Sequence, residues 1–202
     1  HEKQPDAEVI LLAGGPSLND FADEIYEKAK SGIPVVTVNG TCGWALNHRI
    51  RPAATVVLDG REFNKRFVDP VVPGVKYLLS SMCHPDLVAS VPPEQTLLWH
   101  SGSAVKVREA IDAYVRESGQ RREWWPVYGG STVVLRSIVL LRMLGFAKLH
   151  VYGMDSCLVN DEHHAYAQPE NDMTQVVPIE VGGRTFTCHL WMWSQAHEFM
   201  DQ

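Results

Sequence analysis

The sequence lacks an apolar run long enough to cross a membrane. The longest apolar stretch covers residues 133–144 and is interrupted by Arg136 and Arg142, whereas a spanning helix needs about 20 apolar residues. The sequence also lacks a long basic run, and 18 Lys and Arg residues face 24 Asp and Glu residues, which gives a net charge of −6. We therefore expect no membrane partner and no binding to duplex nucleic acid.

Cysteine is scarce, and its spacing carries no disulfide or zinc signature. Cys42, Cys83, Cys157 and Cys188 include no CxxC pair, and no secretory signal precedes them. Isolated cysteines without such a signal are typical of free thiols in a reducing compartment, so we predict a cytoplasmic protein. The chain begins at His1 rather than Met, which suggests a fragment of a longer chain.

The composition is that of an ordinary globular domain. Apolar residues make up 45% of the 202 residues and charged residues 21%, and a chain of this length buries about 70% of its surface on folding. Since domains usually contain roughly 100–200 residues, we expect residues 1–202 to form a single domain. The sequence is also compatible with a homo-oligomer.

Short apolar runs alternate with helical patterns along the chain. These runs are continuously apolar, which is typical of parallel strands covered on both faces. Gly182 and Gly183 then join two further strands at a two-residue hairpin turn. The pattern predicts an α/β fold with a mostly parallel sheet, helices on both faces and a C-terminal β-hairpin. The predicted strands are 9–13, 34–38, 54–58, 76–80, 95–99, 124–128, 148–152, 174–181 and 184–190, and the predicted helices are 18–31, 42–49, 62–68, 86–91, 103–118, 131–144 and the segment from 191.

Small and polar residues follow most of the predicted parallel strands. In a doubly wound sheet, ligands bind outside these carboxyl ends. The first strand is followed by Gly14, Gly15, Pro16 and Ser17, which match neither GxGxxG nor a Walker loop. These glycines can let a phosphate approach backbone N–H groups at a helix start. Alternatively, Ser17 and Asp20 form a capping box that needs no ligand.

A second glycine turn, at residues 129–132, precedes the helix predicted over 131–144. Arg136 lies one turn along that helix, where its guanidinium can add a charge-assisted hydrogen bond to a phosphate. The alternative is a Ser131 cap beside a solvated arginine. Two such turns in one chain favour a phosphate site more than either turn alone.

Three strand ends carry a polar side chain that can bind a ribose hydroxyl, a base or Mg²⁺, namely Asn39, Asp59 and Asp155. The alternative for each is a helix cap or a turn residue. In the polar loop that follows, His163 and His164 are candidates for a general base, and the alternative is a pair of surface histidines without a role.

A zinc site is disfavoured by spacing. Cys157, Cys188 and His189 could join the two loop histidines as ligands, but the intervals between them match no standard zinc pattern.

These motifs, in this order, resemble the family of 6-hydroxymethylpterin diphosphokinase MptE-like proteins, which is related to bacterial sialyltransferases with a Rossmann-like fold. The matching pieces are residues 10–18, 37–40 and 57–59, the block that runs from 129 through 146 to 155, and His164-Ala165. Together they cover most of residues 9–165. The resemblance implies a Rossmann-like, nucleotide-handling transferase.

Two reactions follow from the resemblance. In diphosphokinase members, a pyrophosphoryl group moves from ATP to a pterin alcohol with Mg²⁺. In the sialyltransferase relatives, a sugar moves from a CMP donor without an obligatory metal. Our main hypothesis is therefore MptE-like pyrophosphoryl transfer from ATP to a small alcohol acceptor, and its alternative is glycosyl transfer from a nucleotide sugar. A non-catalytic nucleotide-binding module is a third hypothesis.

The resemblance also implies roles for individual residues. His164 and Asp155 are the catalytic candidates, with His164 taking the alcohol proton, and Asp59 and Asp155 would position Mg²⁺. The predicted nucleotide-binding residues are, by similarity, Gly14, Gly15, Ser17, Asn39, Asp59, Gly130, Ser131 and Thr132, together with Arg136 from the helix pattern.

Overall fold

A computed structural model describes residues 6–102, 105–119, 124–167 and 175–201. The strands in these ranges are β1 (Glu8–Leu12), β2 (Val35–Val38), β3 (Ala54–Val57), β4 (Lys76–Ser80), β5 (Thr96–Ser101), β6 (Pro126–Val127), β7 (Lys148–Tyr152), β8 (Val176–Val181) and β9 (Arg184–His189). The helices are α1 (Ala22–Lys30), α2 (Thr41–Asn47), α3 (Pro85–Ser90), α4 (Val105–Glu117), α5 (Val133–Met143) and α6 (Leu190–Met200). Short 3₁₀ segments lie at Pro16–Phe21, Glu62–Phe67 and Pro93–Gln95.

Seven strands form one parallel sheet in the order β6-β5-β4-β3-β2-β1-β7. The chain moves outward from β1 to β6 and then returns through α5 to place β7 beside β1. The direction of winding therefore reverses between β1 and β7, and ligands of such sheets bind outside the carboxyl ends of the strands near this point. The predicted Rossmann-like α/β fold is confirmed.

The apolar run of β1 is continuous because both faces of this strand are buried. Val9 and Leu11 pack into the core on the α5 face of the sheet, and Ile10 and Leu12 pack into the core that α1 and α2 cover. All four side chains are fully buried. Burial of one such side chain contributes about 1.5–3 kcal/mol. Packing on both faces of β1 therefore stabilises the strand that leads into the first glycine turn (residues 14–17).

Some predicted boundaries are wrong. The helix predicted over 18–31 starts as the 3₁₀ segment and becomes α-helical only at Ala22. The strand predicted over 124–128 is reduced to β6, which lies at the edge of the sheet and begins at Pro126; proline has no N–H to donate to a neighbouring strand. The amphipathic helix predicted over 103–118 is present as α4, but none of its described side chains is buried.

The C-terminal hairpin is confirmed. β8 and β9 are antiparallel, and Val181 pairs with Arg184 across the turn. Gly182 and Gly183 have φ values of 58° and 74°, as a type I′ turn requires.

The four cysteines are free thiols, as predicted. In the part of the chain that the structure describes, no helix has both the length and the apolar character to span a membrane. The cytoplasmic location stays a prediction.

Candidate functional site

A cleft of about 600 Å³ opens at the carboxyl edge of the sheet. Its walls come from the ends of β1, β2, β3 and β7, from the N-terminus of α5, from the loop after β7, and from α6. Most of the predicted site residues line it, namely Gly14, Gly15, Asn39, Asp59, Ser131, Thr132, Arg136, Asp155 and His164. The remaining two, Ser17 and Gly130, lie next to its lining residues Asp155 and Ser131.

The first glycine turn is closed by Asp155. The Ser17 N–H donates to Asp155 Oδ2 at 2.8 Å, and the Ser17 hydroxyl donates to Oδ1. A Cβ atom at Gly15 would lie 2.5 Å from Asp155 Oδ2 and 2.6 Å from the Gly153 carbonyl oxygen. Since Gly15 has an ordinary φ of −70°, it is glycine because β7 approaches closely. The partner of Ser17 is Asp155, and the capping box with Asp20 is not the arrangement found.

The second glycine turn also holds a carboxylate of the protein. The N–H and the hydroxyl of Ser131 both donate to Glu198 Oε2 of α6, each at 2.8 Å. Thr132, rather than Ser131, caps α5, because its Oγ1 accepts from the Leu135 N–H at 3.2 Å. The first N–H groups of α5 have no partner within the helix, so this turn retains donors beside the cleft.

Arg136 is buried, with 6% of its surface exposed, which contradicts the alternative of a solvated arginine. Its Nη1 donates to the Ser101 hydroxyl at 2.6 Å and to the Val127 carbonyl at 3.4 Å. Its Nε has no hydrogen-bond partner, and no described carboxylate forms an ion pair with it. Burial lowers the pKa of Arg136, and the charge of Glu198 offsets this only in part.

Asp59 is engaged by Arg61. The Arg61 backbone N–H donates to Asp59 Oδ1 at 2.9 Å, and its Nε donates to Oδ2 at 2.8 Å. Burial raises the pKa of the Asp59 carboxyl, but the hydrogen bonds and charge of Arg61 outweigh burial and hold it below its ordinary value. Asp59 is therefore an ionised member of the cleft wall.

His164 packs against the first glycine turn. A Cβ atom at Gly14 would lie 2.9 Å from the His164 ring, and the Ala165 N–H donates to the Gly14 carbonyl at 2.9 Å. Nδ1 of His164 is buried without a hydrogen-bond partner. Burial and the neighbouring His163 lower the pKa of His164 to about 4, so its imidazole is neutral at neutral pH.

Four further residues at or beside the cleft were not predicted as site residues. Tyr166 lies against Gly14 and Gly40, Trp191 lines the cleft from α6, and Asn64 lines it from the 3₁₀ segment after β3. Glu198 sits on the second turn without lining the cleft. Each is placed by tertiary packing, and none directly follows a strand of the parallel sheet.

The donor set does not form a preformed magnesium site. In residues 6–102, 105–119, 124–167 and 175–201, no group of three or more His, Cys, Asp or Glu side chains is arranged to hold a metal ion. Arg61 is hydrogen-bonded to both oxygens of Asp59, and Ser17 to both oxygens of Asp155. The loop histidines and cysteines likewise form no zinc site within these ranges.

The fold is similar to that of part of one glycosyltransferase of solved structure. The MAf glycosyltransferase from Magnetospirillum magneticum AMB-1 superposes with a TM-score of 0.70 at 16% sequence identity. The superposition covers 98% of this chain and 30% of that one, so the chain spans about a third of the length of this structural relative. No curated protein matches the chain.

The family comparison covers the strands and turns that build the cleft. A family model matches residues 1–161, which include both glycine turns, Asn39, Asp59 and Asp155. The chain therefore belongs to the 6-hydroxymethylpterin diphosphokinase MptE-like family.

Proposed function

We propose that the cleft binds a nucleoside phosphate, with phosphate oxygens at the N-terminus of α5, and that the chain carries the nucleotide-handling part of a transferase. Arg136 is the observation that supports this most directly. A buried guanidinium without a carboxylate partner is costly, and this one lines a cleft beside a helix N-terminus that favours negative charge. A ligand anion would compensate both features.

Glu198 supports the same assignment. Its carboxylate accepts two hydrogen bonds from Ser131, so the donors of this turn already serve an anion of the protein itself. A phosphate group can use the same donors once the Glu198 side chain swings away, because Glu198 reaches them from the half-buried end of α6.

For the reaction, our first candidate is pyrophosphoryl transfer from ATP to a small alcohol. His164 lies in the cleft wall and is neutral above about pH 4, so its imidazole is free of a proton at neutral pH and can accept one from the alcohol, as a weaker base than a histidine of ordinary pKa. Asp59 and Asp155 would hold Mg²⁺ together with the phosphates, and Mg²⁺ would neutralise charge on the transferred group.

The second candidate is glycosyl transfer from a nucleotide sugar, with His164 again as the base. One observation favours it: both cleft carboxylates are already engaged, Asp59 by Arg61 and Asp155 by Ser17. A reaction that needs no metal leaves both pairs intact, whereas magnesium binding would have to compete with them.

A thermal-shift screen of ATP, GTP, CTP, CMP and UDP, each with and without Mg²⁺, tests the proposal. A ligand at 100 times its dissociation constant stabilises the protein by about 2.7 kcal/mol. Magnesium-dependent stabilisation by a triphosphate supports the first candidate, and metal-independent stabilisation by CMP or UDP supports the second. If no nucleotide raises the melting temperature, the proposed function is wrong.

Turnover then separates an enzyme from a nucleotide-binding module. His164→Ala should lower turnover by about 10²–10⁴-fold with little change in nucleotide affinity. His163→Ala is the comparison variant, because His163 also lines the cleft and its ring contacts those of His164, His189 and Trp191; a large loss from His163→Ala alone would assign the role of base to His163. Nucleotide binding without turnover for a panel of alcohol acceptors would favour the module.

A further inference from the structure

Asn64 is a buried amide that lacks the hydrogen bonds a buried amide needs. Only 1% of the residue is exposed, and neither Oδ1 nor Nδ2 has a hydrogen-bond partner. The amide is close enough to Asp59 to help lower the pKa of that carboxyl, but it makes no hydrogen bond of normal geometry.

A second unpartnered amide oxygen lies at the same cleft. Oδ1 of Asn39 is shielded from water and has no partner, and Asn39 follows β2 with a φ of 46°. Asn39 and Asn64 both line the cleft. Most buried polar groups in folded proteins are hydrogen-bonded, so two orphan amides on one cleft wall point to a missing ligand group.

The chemistry of these atoms excludes phosphate as that group. Phosphate oxygens accept hydrogen bonds, whereas the two Oδ1 atoms need donors. Asn64 also offers a donor in Nδ2 beside its acceptor. A ligand group that satisfies both residues therefore carries N–H or O–H donors with an acceptor next to one of them, and the uncharged nucleoside part of a nucleotide supplies both. The edge of a nucleobase and the hydroxyls of a sugar both have this chemistry.

We infer that Asn64, together with Asn39, binds the uncharged, donor-bearing part of the ligand whose phosphates lie at α5. This inference rests on the proposed function and extends it, because it divides the cleft into a phosphate end and a neutral recognition end. Asn64 would then be a specificity residue of the site.

Asn64→Leu is the decisive variant, because leucine has the same number and branching of side-chain heavy atoms as asparagine and no polar atoms. We expect its melting temperature to equal or exceed that of the wild type, since an unsatisfied buried amide is removed. We expect its affinity for the preferred nucleotide to fall about tenfold or more, and its affinity for pyrophosphate to change less than about twofold. Asn39→Gly, which suits the positive φ, should have the same selective effect, and the exposed Asn47→Leu is the control.

Calorimetric titration of wild type and variants with nucleotide, ribose 5-phosphate and pyrophosphate separates the outcomes. A loss for the nucleotide alone assigns the subsite to the base, and an equal loss for ribose 5-phosphate assigns it to sugar hydroxyls; both support the inference. Unchanged affinities in folded Asn64→Leu overturn it and leave the proposed function standing. A lower melting temperature with equal losses for all three ligands also overturns it, because Asn64 would then be structural. Wild type that binds none of the ligands overturns both.

Discussion

The two glycine turns look alike in sequence and differ in the structure. In each, a serine N–H and hydroxyl donate to a carboxylate, Asp155 for Ser17 and Glu198 for Ser131. The first turn is held between β1 and β7, and the Gly153 carbonyl blocks the space beside Gly15. At the second turn, the space beside Gly130 is filled by the ends of the Leu135 and Glu198 side chains.

The difference shows which turn can admit a ligand. The Gly153 carbonyl is a backbone group held in place by the hydrogen bond that it accepts from the Gly15 N–H at 2.7 Å, whereas side-chain ends can change rotamer at low cost. The first turn (residues 14–17) is therefore part of the rigid framework of the protein, and the second (residues 129–132) is the adaptable turn at which we propose that an anion binds. A glycine-serine motif at a strand end thus indicates an anion-binding geometry, but the surrounding packing decides whether the anion is the protein's own.

The largest expected effect is on stability, from a substitution in the first glycine turn. Gly15→Ala places a Cβ against the Gly153 carbonyl, so we expect a loss of about 3 kcal/mol or more in the free energy of unfolding. Gly130→Ala should cost only about 1 kcal/mol, because side chains can yield. Urea denaturation measures both. Gly43→Ala in α2, where a Cβ meets open space, is the control and should stabilise slightly. Equal costs at Gly15 and Gly130 would refute the distinction between the turns.

The next largest effect is on phosphate binding at the second glycine turn. Arg136→Met keeps much of the packing volume and removes the charge, so triphosphate affinity should fall by about 1.5–3 kcal/mol, which is roughly tenfold to a hundredfold. Affinity for the free nucleoside should change little. Isothermal titration of both ligands checks this, and equal losses would indicate general damage instead of a lost phosphate contact.

A pH effect is expected at the framework turn. The pKa of His164 is about 4 in the folded protein and near 6.5 when unfolded, so the unfolded state binds more protons between these values. Stability is therefore fully present above about pH 6.5 and decreases as the pH falls towards 4, by up to about 3 kcal/mol. His164→Gln should flatten this part of the stability curve in denaturation series at fixed pH. A wild-type curve that is already flat would contradict the buried, neutral histidine.

The smallest expected effect is an increase in ligand affinity, whereas most substitutions in a binding site lower it. Glu198→Ala removes the resident carboxylate from Ser131, so pyrophosphate affinity should increase by about 1 kcal/mol, or roughly fivefold. Stability should fall by less than about 1 kcal/mol, since Glu198 is only half-buried. Glu180→Ala on the exposed hairpin controls for the change in net charge. Weaker pyrophosphate binding in Glu198→Ala would mean that α6 supports the site instead of competing for it.

Much of the fold and the location of the site could be predicted from local patterns. Continuous apolar runs identified the parallel strands, and the residues that follow them identified the cleft, because the carboxyl ends of parallel strands meet at one edge. Arg136 was found from helical spacing alone. These features depend on neighbours in sequence or on a general property of parallel sheets.

Other features depend on contacts between distant segments and could not be predicted. Nothing in the sequence pairs Ser17 with Asp155 or Ser131 with Glu198, and the low pKa of His164 follows from burial that only the folded chain creates. Asn64 was missed because it lies inside a short 3₁₀ segment rather than at a strand end. The reason for glycine at position 15 likewise became clear only when β7 was seen beside it.

The pairing of β1 with β7 has a consequence for the way the protein folds. Glu8 is in register with Lys148, and Leu12 with Tyr152, so the two strands that flank the site are joined only after nearly the whole intervening chain has been synthesised. Contacts between such distant segments are closed late and raise the contact order, which slows folding. A nascent chain can thus pair β1 to β6 first, and one edge of β1 remains unpaired until β7 is synthesised. The cleft is completed by β7, the loop after it and α6, so binding activity should appear only in the final step of folding.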